Sequence, residues 1–183
     1  MRAVLGIRAK VWVWALNNLA NTPTKVAFRE KMEFAEAAMK QWQEEGICDD
    51  ANDYCELTHY FSPIIKEFGC AVYGRQLFIP KDTLIIGKIH KHGHLNVILK
   101  GKILVTTEFG QECFEAPHVF VSKFGTKRGV RAVEDTLWLT VHLTTQGSEE
   151  HLDEIENEVI APDYKTLGLE NAMNNLFLDG EVS

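Results

Sequence analysis

Three histidines fall within five residues in the stretch 87–101, GKIHKHGHLNVILKG: His90, His92 and His94. Imidazole changes charge nearest neutral pH and is the commonest nitrogen ligand for transition metals. Such a cluster can therefore move protons, hold a divalent ion or face an anion. Two of these rings, separated by one residue on a strand, would lie on the same side, as a shared ligand requires. Gly93 between His92 and His94 predicts a turn, which works against convergence of all three. A metal reading of these residues alone takes His90, His92 and His94, with Asn96 or water completing the shell. A fourth histidine, His142, lies far along the chain and shares a strand face with Trp138 and Thr140, opposite Leu137, Leu139, Val141 and Leu143. The larger apolar set is the one expected to face a core, which would put His142 outside, whereas a β-bulge of the kind barrels carry would turn it inward.

The elements that must carry these residues are mostly strands. From Leu57 the chain breaks into short apolar and β-branched runs: 71–79, 83–90, 94–99, 102–107, 111–115, 119–122, 129–133 and 136–144. Pro80-Lys81-Asp82, Lys100-Gly101, Phe109-Gly110, Ala116-Pro117 and Glu134-Asp135 separate them as turns. Eight short strands with no helical stretch between them predict an antiparallel sandwich or barrel rather than a parallel α/β sheet. Upstream, Phe28, Met32, Ala35, Met39 and Trp42 recur at spacings of three and four, which predicts an amphipathic helix over 24–45. Pro23 suits its first turn and Gly46 its end. Residues 1–20, with Trp12 and Trp14, read as a further helix, buried or facing a partner. Residues 47–56 read as an acidic, turn-rich linker. Downstream, Leu152, Ile155 and Val159 predict a short helix within 148–159, stopped by Ala161-Pro162. The expected organisation is a helical extension over 1–46, a β-barrel over 57–147 and an acidic tail over 148–183.

Composition sets the outer limits. The chain has 183 residues, 45% hydrophobic and 25% charged, which suits one folded unit with peripheral elements. Ten of the 26 acidic residues lie from Glu149 onward against Lys165 alone, leaving 16 acidic and 18 basic residues upstream. The net charge of −7 argues against a nucleic-acid partner, while the near-neutral body leaves room for a basic pocket. Cys48, Cys55, Cys70 and Cys113 form no C-x-x-C pair, as expected of reduced thiols in a cytoplasm. Arg8 and Lys10 interrupt the apolar N-terminus, and 11–16 is too short for a membrane span.

The strand run resembles the cupin superfamily, a double-sheet jelly roll. Its first motif has glycine, five residues, His-x-His, three or four residues, glutamate, six residues and glycine. Registered on Gly101, the motif puts His94 at the glutamate, His90 at the second histidine and Lys88 at the first. The second motif, Pro-x-Gly-x-x-His, is similar to Ser122-Lys123-Phe124-Gly125-Thr126-Lys127-Arg128, with Arg128 at the fourth ligand position. In the family, three histidines and a carboxylate bind Fe, Mn, Ni or Zn. Here that set is incomplete, and Arg128 stays protonated and cannot ligate. The phrases THYFSP, YGRQLFIPKDTLIIGKIHK, HLNVILKG, GTKR and EDT-x-W-x-T-x-H further resemble small cupin-like proteins of tailed phages and prophages. That resemblance implies a jelly-roll protein made in a bacterial host cytoplasm, or a virion component.

With the cupin register, the expectation is a small anion (a nucleotide, sugar or organic acid) bound in the barrel mouth. Lys88, Asn96, Thr126, Lys127, Arg128 and His142 are the expected ligand-binding residues, and His90 and His94 the acid–base pair. Glu134 or Asp135 could orient a histidine. The alternatives are a divalent-metal enzyme, and a phage structural or protein-interaction module with no small ligand. A homo-oligomer is expected, with no membrane partner.

Overall fold

The computed structural model describes residues 5–8 and 25–169. Its strands are β1 (Leu5–Arg8), β2 (Glu56–Phe61), β3 (Ala71–Ile79), β4 (Thr83–Ile86), β5 (Ile89–His90), β6 (His94–Lys100), β7 (Lys102–Thr107), β8 (Gly110–Glu115), β9 (His118–Ser122), β10 (Gly129–Ala132), β11 (Thr136–Thr144) and β12 (Ile160–Ala161). They form two antiparallel five-stranded sheets, ordered β1-β4-β10-β7-β8 and β2-β3-β11-β6-β9, with β12 pairing β5 as a small third sheet. The connections from β3 to β4, β6 to β7, β8 to β9 and β10 to β11 each step from one sheet to the other. That alternation is what winds the chain into a jelly roll.

Most of the predicted strands form within a residue of their expected ends. The run expected over 83–90 is split at Gly87 into β4 and β5, so that β5 leaves the sheet and pairs β12. The alternation of side chains then divides each strand between core and outside. Leu77, Ile79, Ile98 and Trp138 from one sheet meet Ile85, Ile103, Val105, Phe114, Val130 and Ala132 from the other. This apolar packing fills one end of the barrel. The other end is lined by polar side chains.

Two turns are demanding. Gly101, between β6 and β7, has φ +82, and a Cβ there would sit 2.2 Å from the Asp135 carbonyl oxygen. Lys100-Gly101 and Glu134-Asp135 are therefore stacked turns at the far end of the barrel from the histidines. The Asp135 carboxylate accepts a hydrogen bond from the Lys81 backbone N–H (2.8 Å), and this places it away from any imidazole, against its expected orienting role.

Helix α1 (Lys25–Glu44) packs Phe28, Met32 and Met39 against Leu84 and Ile86, covering the outer side of the β4 sheet. A buried fork of hydrogen bonds from Arg29 to Glu108 (2.8 and 2.9 Å) fastens it, and a third reaches the Leu169 carbonyl (2.6 Å). Helix α2 (Leu152–Val159) lies after β11 and buries Ile155 and Val159, as its spacing predicted.

Three readings are corrected. Residues 5–8, expected within a helix, form β1 on the open edge of β4. Gly6 weakens a helix there, and an exposed edge offers unpaired backbone groups that a strand satisfies. The rest of the expected first helix, with Trp12 and Trp14, lies outside the described residues, as do Thr22, Pro23 and the tail from residue 170. The linker contains a 3-10 turn (Ala51–Asp53) capped by Asp50, whose side chain accepts from the Asn52 backbone N–H (3.0 Å), and it ends by entering the unpredicted strand β2. In β2 the inward positions are Leu57, His59 and Phe61. A histidine in the middle hides the apolar alternation. All four cysteines are free thiols.

Gly101→Ala should cost more than about 2 kcal/mol, combining a left-handed backbone with a backbone clash. Gly46→Ala, at φ +70 with nothing within 4 Å of its Cβ, should cost only about 1 kcal/mol. Urea unfolding of the two variants side by side checks this, and equal losses would contradict the stacked-turn account.

Candidate anion and metal site

At the polar end, β6 turns His94 and Asn96 inward, in phase with Ile98. Strand β11 turns Trp138, Thr140 and His142 inward, leaving Leu137, Leu139, Val141 and Leu143 outside. The alternation-based expectation for His142 is thereby reversed, and the inward face is the one its place among the expected ligand-binding residues requires. What decides the face is register: Trp138 lies opposite Ile98 and Leu77, so its face is the core face whatever the count of apolar residues.

His90 comes from the two-residue β5. The rings of His90, His94 and His142 stand with centroids 4.1 Å (His90–His94), 4.5 Å (His94–His142) and 5.3 Å (His90–His142) apart. One nitrogen from each lies within 4.8 Å of the others, close enough to share an ion. His92, the expected third ligand, is exposed on the β5–β6 turn and outside this group. Its role is through the backbone: its carbonyl oxygen lies 3.3 Å from His94 Nδ1. That contact holds a proton on Nδ1 and leaves Nε2 with a lone pair. His90 Nδ1 is buried with no hydrogen-bond partner, an orphaned acceptor or donor that an ion or ligand would satisfy.

The other expected residues separate into distinct roles. Asn96 is a buried hub. Its Oδ1 accepts from Arg128 Nη1 (3.0 Å) and Trp138 Nε1 (3.1 Å), and its Nδ2 donates to Ser122 Oγ (2.8 Å) and the His94 carbonyl (3.2 Å). With its amide fully engaged, it braces the wall and has nothing left for a ligand. Arg128 also donates to Ser122 Oγ, approaches His94 Nε2 at 3.4 Å and lies 5.4 Å from the Trp138 ring centroid. Lys88 sits half-exposed at the rim, paired with Glu156 of α2. Thr126 is buried, its Oγ1 without a partner. Lys127 is corrected outright: it is buried against α1, where Glu36 takes its ammonium. Adjacent residues on an extended segment point opposite ways, so Lys127 cannot share the cavity with Arg128.

Tyr73, Arg75 and Glu156 complete the cavity and were missed. Tyr73 and Arg75 were legible in principle, because they are in phase with Leu77 and Ile79 on β3. Tyr73 stacks on His142 (6.2 Å) and shares a hydrogen bond with His59 Nδ1 (2.7 Å). Glu156 reaches the site only because α2 folds across the barrel mouth, bringing Ile155 and Val159 with it.

The cavity is about 100 Å³ and partly open, with Ile155, Glu156 and Val159 of α2 on its wall. Among the described residues lining it, Lys88, Arg75 and Arg128 are cationic and Glu156 is the only carboxylate. The imidazoles are neutral. Burial, aided by neighbouring positive charge, lowers His94 to about 4 and His142 to about 3, and pushes His90 well below its ordinary value. Burial likewise lowers Arg128 to about 10, leaving it charged at neutral pH. A cavity walled by net positive charge and neutral lone-pair donors attracts anions.

No family model matches the chain, and no curated protein matches it. The chain is similar to solved cupin-domain structures at low identity. For KdgF from Halomonas sp. the identity is 13% and the TM-score 0.36, over 48% of this chain and 88% of that one. For a cupin-2 domain protein from Shewanella frigidimarina the values are 7% and 0.37, over 48% and 80%. For ectoine synthase from P. lautus they are 11% and 0.42, over 56% and 72%. The fold is a cupin-type jelly roll. His90 and His94, which the sequence resemblance put at two motif positions, lie together with a third imidazole, His142 from β11.

In chelator-treated protein the three histidines should make stability fall with acid. They are neutral when folded, whereas in the unfolded chain each takes up a proton near pH 6.5. Their contribution is therefore complete above about pH 6.5 and is lost as pH drops toward 4 and then 3, at up to about 1.4 kcal/mol per pH unit for each. Denaturation between about pH 7 and 4.5 should show this decline, and His142→Gln should flatten it. An unchanged slope in the variant would mean that His142 is protonated in the folded state.

Proposed function

We propose that this protein binds a small anion in the mouth of its barrel, at a divalent ion held by His90, His94 and His142. The observation that carries the proposal is the convergence of three neutral imidazoles, His94 and His142 buried and His90 partly so, with His90 and His142 lining a cavity whose other charges are net positive. The donor set fits an ion. Its nitrogens lie within 4.8 Å of one another, His90 Nδ1 has no partner, and His94, held through Nδ1, presents an Nε2 lone pair that an ion would take from Arg128 Nη2. Three neutral ligands leave the ion's charge uncompensated beside Arg75 and Arg128, so the site holds an ion best together with an anion.

The chain's own residues divide the work. Arg75, with Arg128 held rigid by Asn96 and Ser122, orients the anion by charge and hydrogen bonding. Glu156 and Lys88 at the rim close the entrance, and Ile155 and Val159 limit its water. A space of about 100 Å³ has room for roughly seven to ten water-sized groups, which suits a small organic acid or phosphate. The lowered basicity of the imidazoles suits ligation more than proton abstraction at neutral pH. A bound divalent ion would act as a Lewis acid toward an oxygen of the ligand. The resemblance to tailed-phage proteins would place this activity in a bacterial host cytoplasm.

Elemental analysis of protein purified without a metal-binding tag, followed by titration of Zn²⁺, Mn²⁺, Ni²⁺ and Fe²⁺, tests the proposal. Retention should drop about 100-fold or more in His142→Ala and His94→Ala, and be unaffected in His92→Ala. Small carboxylates or phosphate should raise ion affinity in the wild type and not in Arg75→Gln. Thermal stabilisation by anions with no ion retained would leave the metal-free anion site, and neither effect would leave the interaction-module alternative.

A further inference from the structure

Among the described residues lining the cavity, Glu156 is the one carboxylate, and it comes from α2 rather than from the barrel. Its neighbours in sequence fix its place. Ile155 is fully buried. The Glu158 carboxylate accepts from Thr144 Oγ1 (2.7 Å) and from the Thr145 backbone N–H (3.0 Å). The Asn157 carbonyl accepts from the Lys91 ammonium (2.5 Å), and the Val159 carbonyl from the Lys91 backbone N–H (2.8 Å). With residues on both sides of it held, Glu156 keeps its backbone at the mouth, and only its side chain can turn.

That carboxylate takes the ammonium of Lys88, which lines the same cavity. With side-chain exposures of 40% for Lys88 and 25% for Glu156 the pair is wet, and such pairs add little to stability. The helix does not need it, given the contacts at 157, 158 and 159. Nor does Glu156 join the three imidazole nitrogens that lie within 4.8 Å of one another. Its charge still acts inward, because burial lowers Arg75 and Glu156 counters that shift. Deeper in, Arg128 is 6% exposed and donates to the neutral Asn96 and Ser122, so its charge calls for an anionic head. At the rim the charges of Lys88 and Glu156 cancel.

We propose that Glu156 is a specificity-determining residue, a fixed negative charge at the cavity mouth that admits singly charged organic acids and turns dianions away. The inference rests on the barrel-mouth anion reading and narrows its ligand class. With one anionic group facing Arg128, a dianion brings its second to the rim. There it must take Lys88 from Glu156 or lie against the carboxylate, and either costs binding. A neutral outer end, such as a hydroxyl or an amide, hydrogen-bonds to both members of the ion pair without separating them.

Isothermal titration of the full chain, as purified, with succinate and succinamate tests it, since the two are alike in size and differ by one charge. The wild type should bind succinamate more tightly. Glu156→Gln should raise succinate affinity about 10-fold or more relative to succinamate, because Lys88 then meets the second carboxylate without a competitor. Lys88→Gln should move the ratio the other way, by leaving the Glu156 charge uncompensated, and it carries the test if Glu156→Gln does not fold. A merely structural ion pair would lower the unfolding midpoint of both variants and leave both ratios unchanged, which overturns the inference. A wild type that prefers succinate, or a Glu156→Gln protein that loses both ligands equally, overturns it too. Binding of neither probe by the wild type or either variant would overturn the barrel-mouth reading itself, and the inference with it.

Discussion

The side chain of Asn96 is the point on which the polar half of this barrel depends. A jelly roll encloses one face of every strand, and any polar group on that face must find a partner inside or destabilise the fold. Asn96 answers for four neighbours at once: Arg128, Trp138, Ser122 and the His94 backbone. Through Trp138 it is joined to the apolar core, and through Arg128 and His94 to the cavity. Removing its amide would strand a guanidinium and an indole N–H together, so the site and the core are not independently adjustable.

From that hub outward, the barrel sorts its interior by position along the strands. Strand β11 illustrates it in one element, with Trp138 in the packed half and His142 in the open half, two residues of the same face. Strand β3 repeats the arrangement with Leu77 and Ile79 below Tyr73 and Arg75. The helices then finish what the sheets leave open. Helix α1 seals one sheet and is locked by the Arg29–Glu108 fork, and α2 narrows the mouth with Ile155, Glu156 and Val159. Lys127 shows how little room this leaves for improvisation, since a cation next in sequence to a cavity arginine serves a helix instead.

Charge explains why the cavity is more than a gap in packing. Three lone-pair donors that stay neutral can sit together beside two guanidinium groups without mutual repulsion, whereas three imidazolium ions could not. The result is a site able to accept an ion or an anion but ill suited to hold a bare cation. The outer surface follows a different logic. Among the described residues, α1 covers the β4 sheet, while Leu95, Leu99, Val119, Val121 and Leu143 on β6, β9 and β11 are exposed.

Most of the strands, both described helices and the nearness of His90 to His94 were readable in the linear sequence. Alternation, helical spacing and turn residues are local consequences of backbone geometry, and they act within a few residues. Where those local signals were weak the reading failed, as at β2, whose apolar phase is interrupted by His59, and at β1, whose strand exists to satisfy the edge of β4. His142 was named among the expected ligand-binding residues, but its grouping with His90 and His94 in place of His92 was out of reach for a different reason. His142 and His92 are both histidines near a strand end, and choosing between them requires knowing that β11 lies beside β6 with Trp138 opposite Ile98. Glu156 belongs to the same class, since only the crossing of α2 brings it around one space with Arg75, His90 and His142. The sequence by itself determined which residues could be strands and which could do chemistry; tertiary structure alone decided which of them meet, because inter-strand register is set by the packing of the whole barrel.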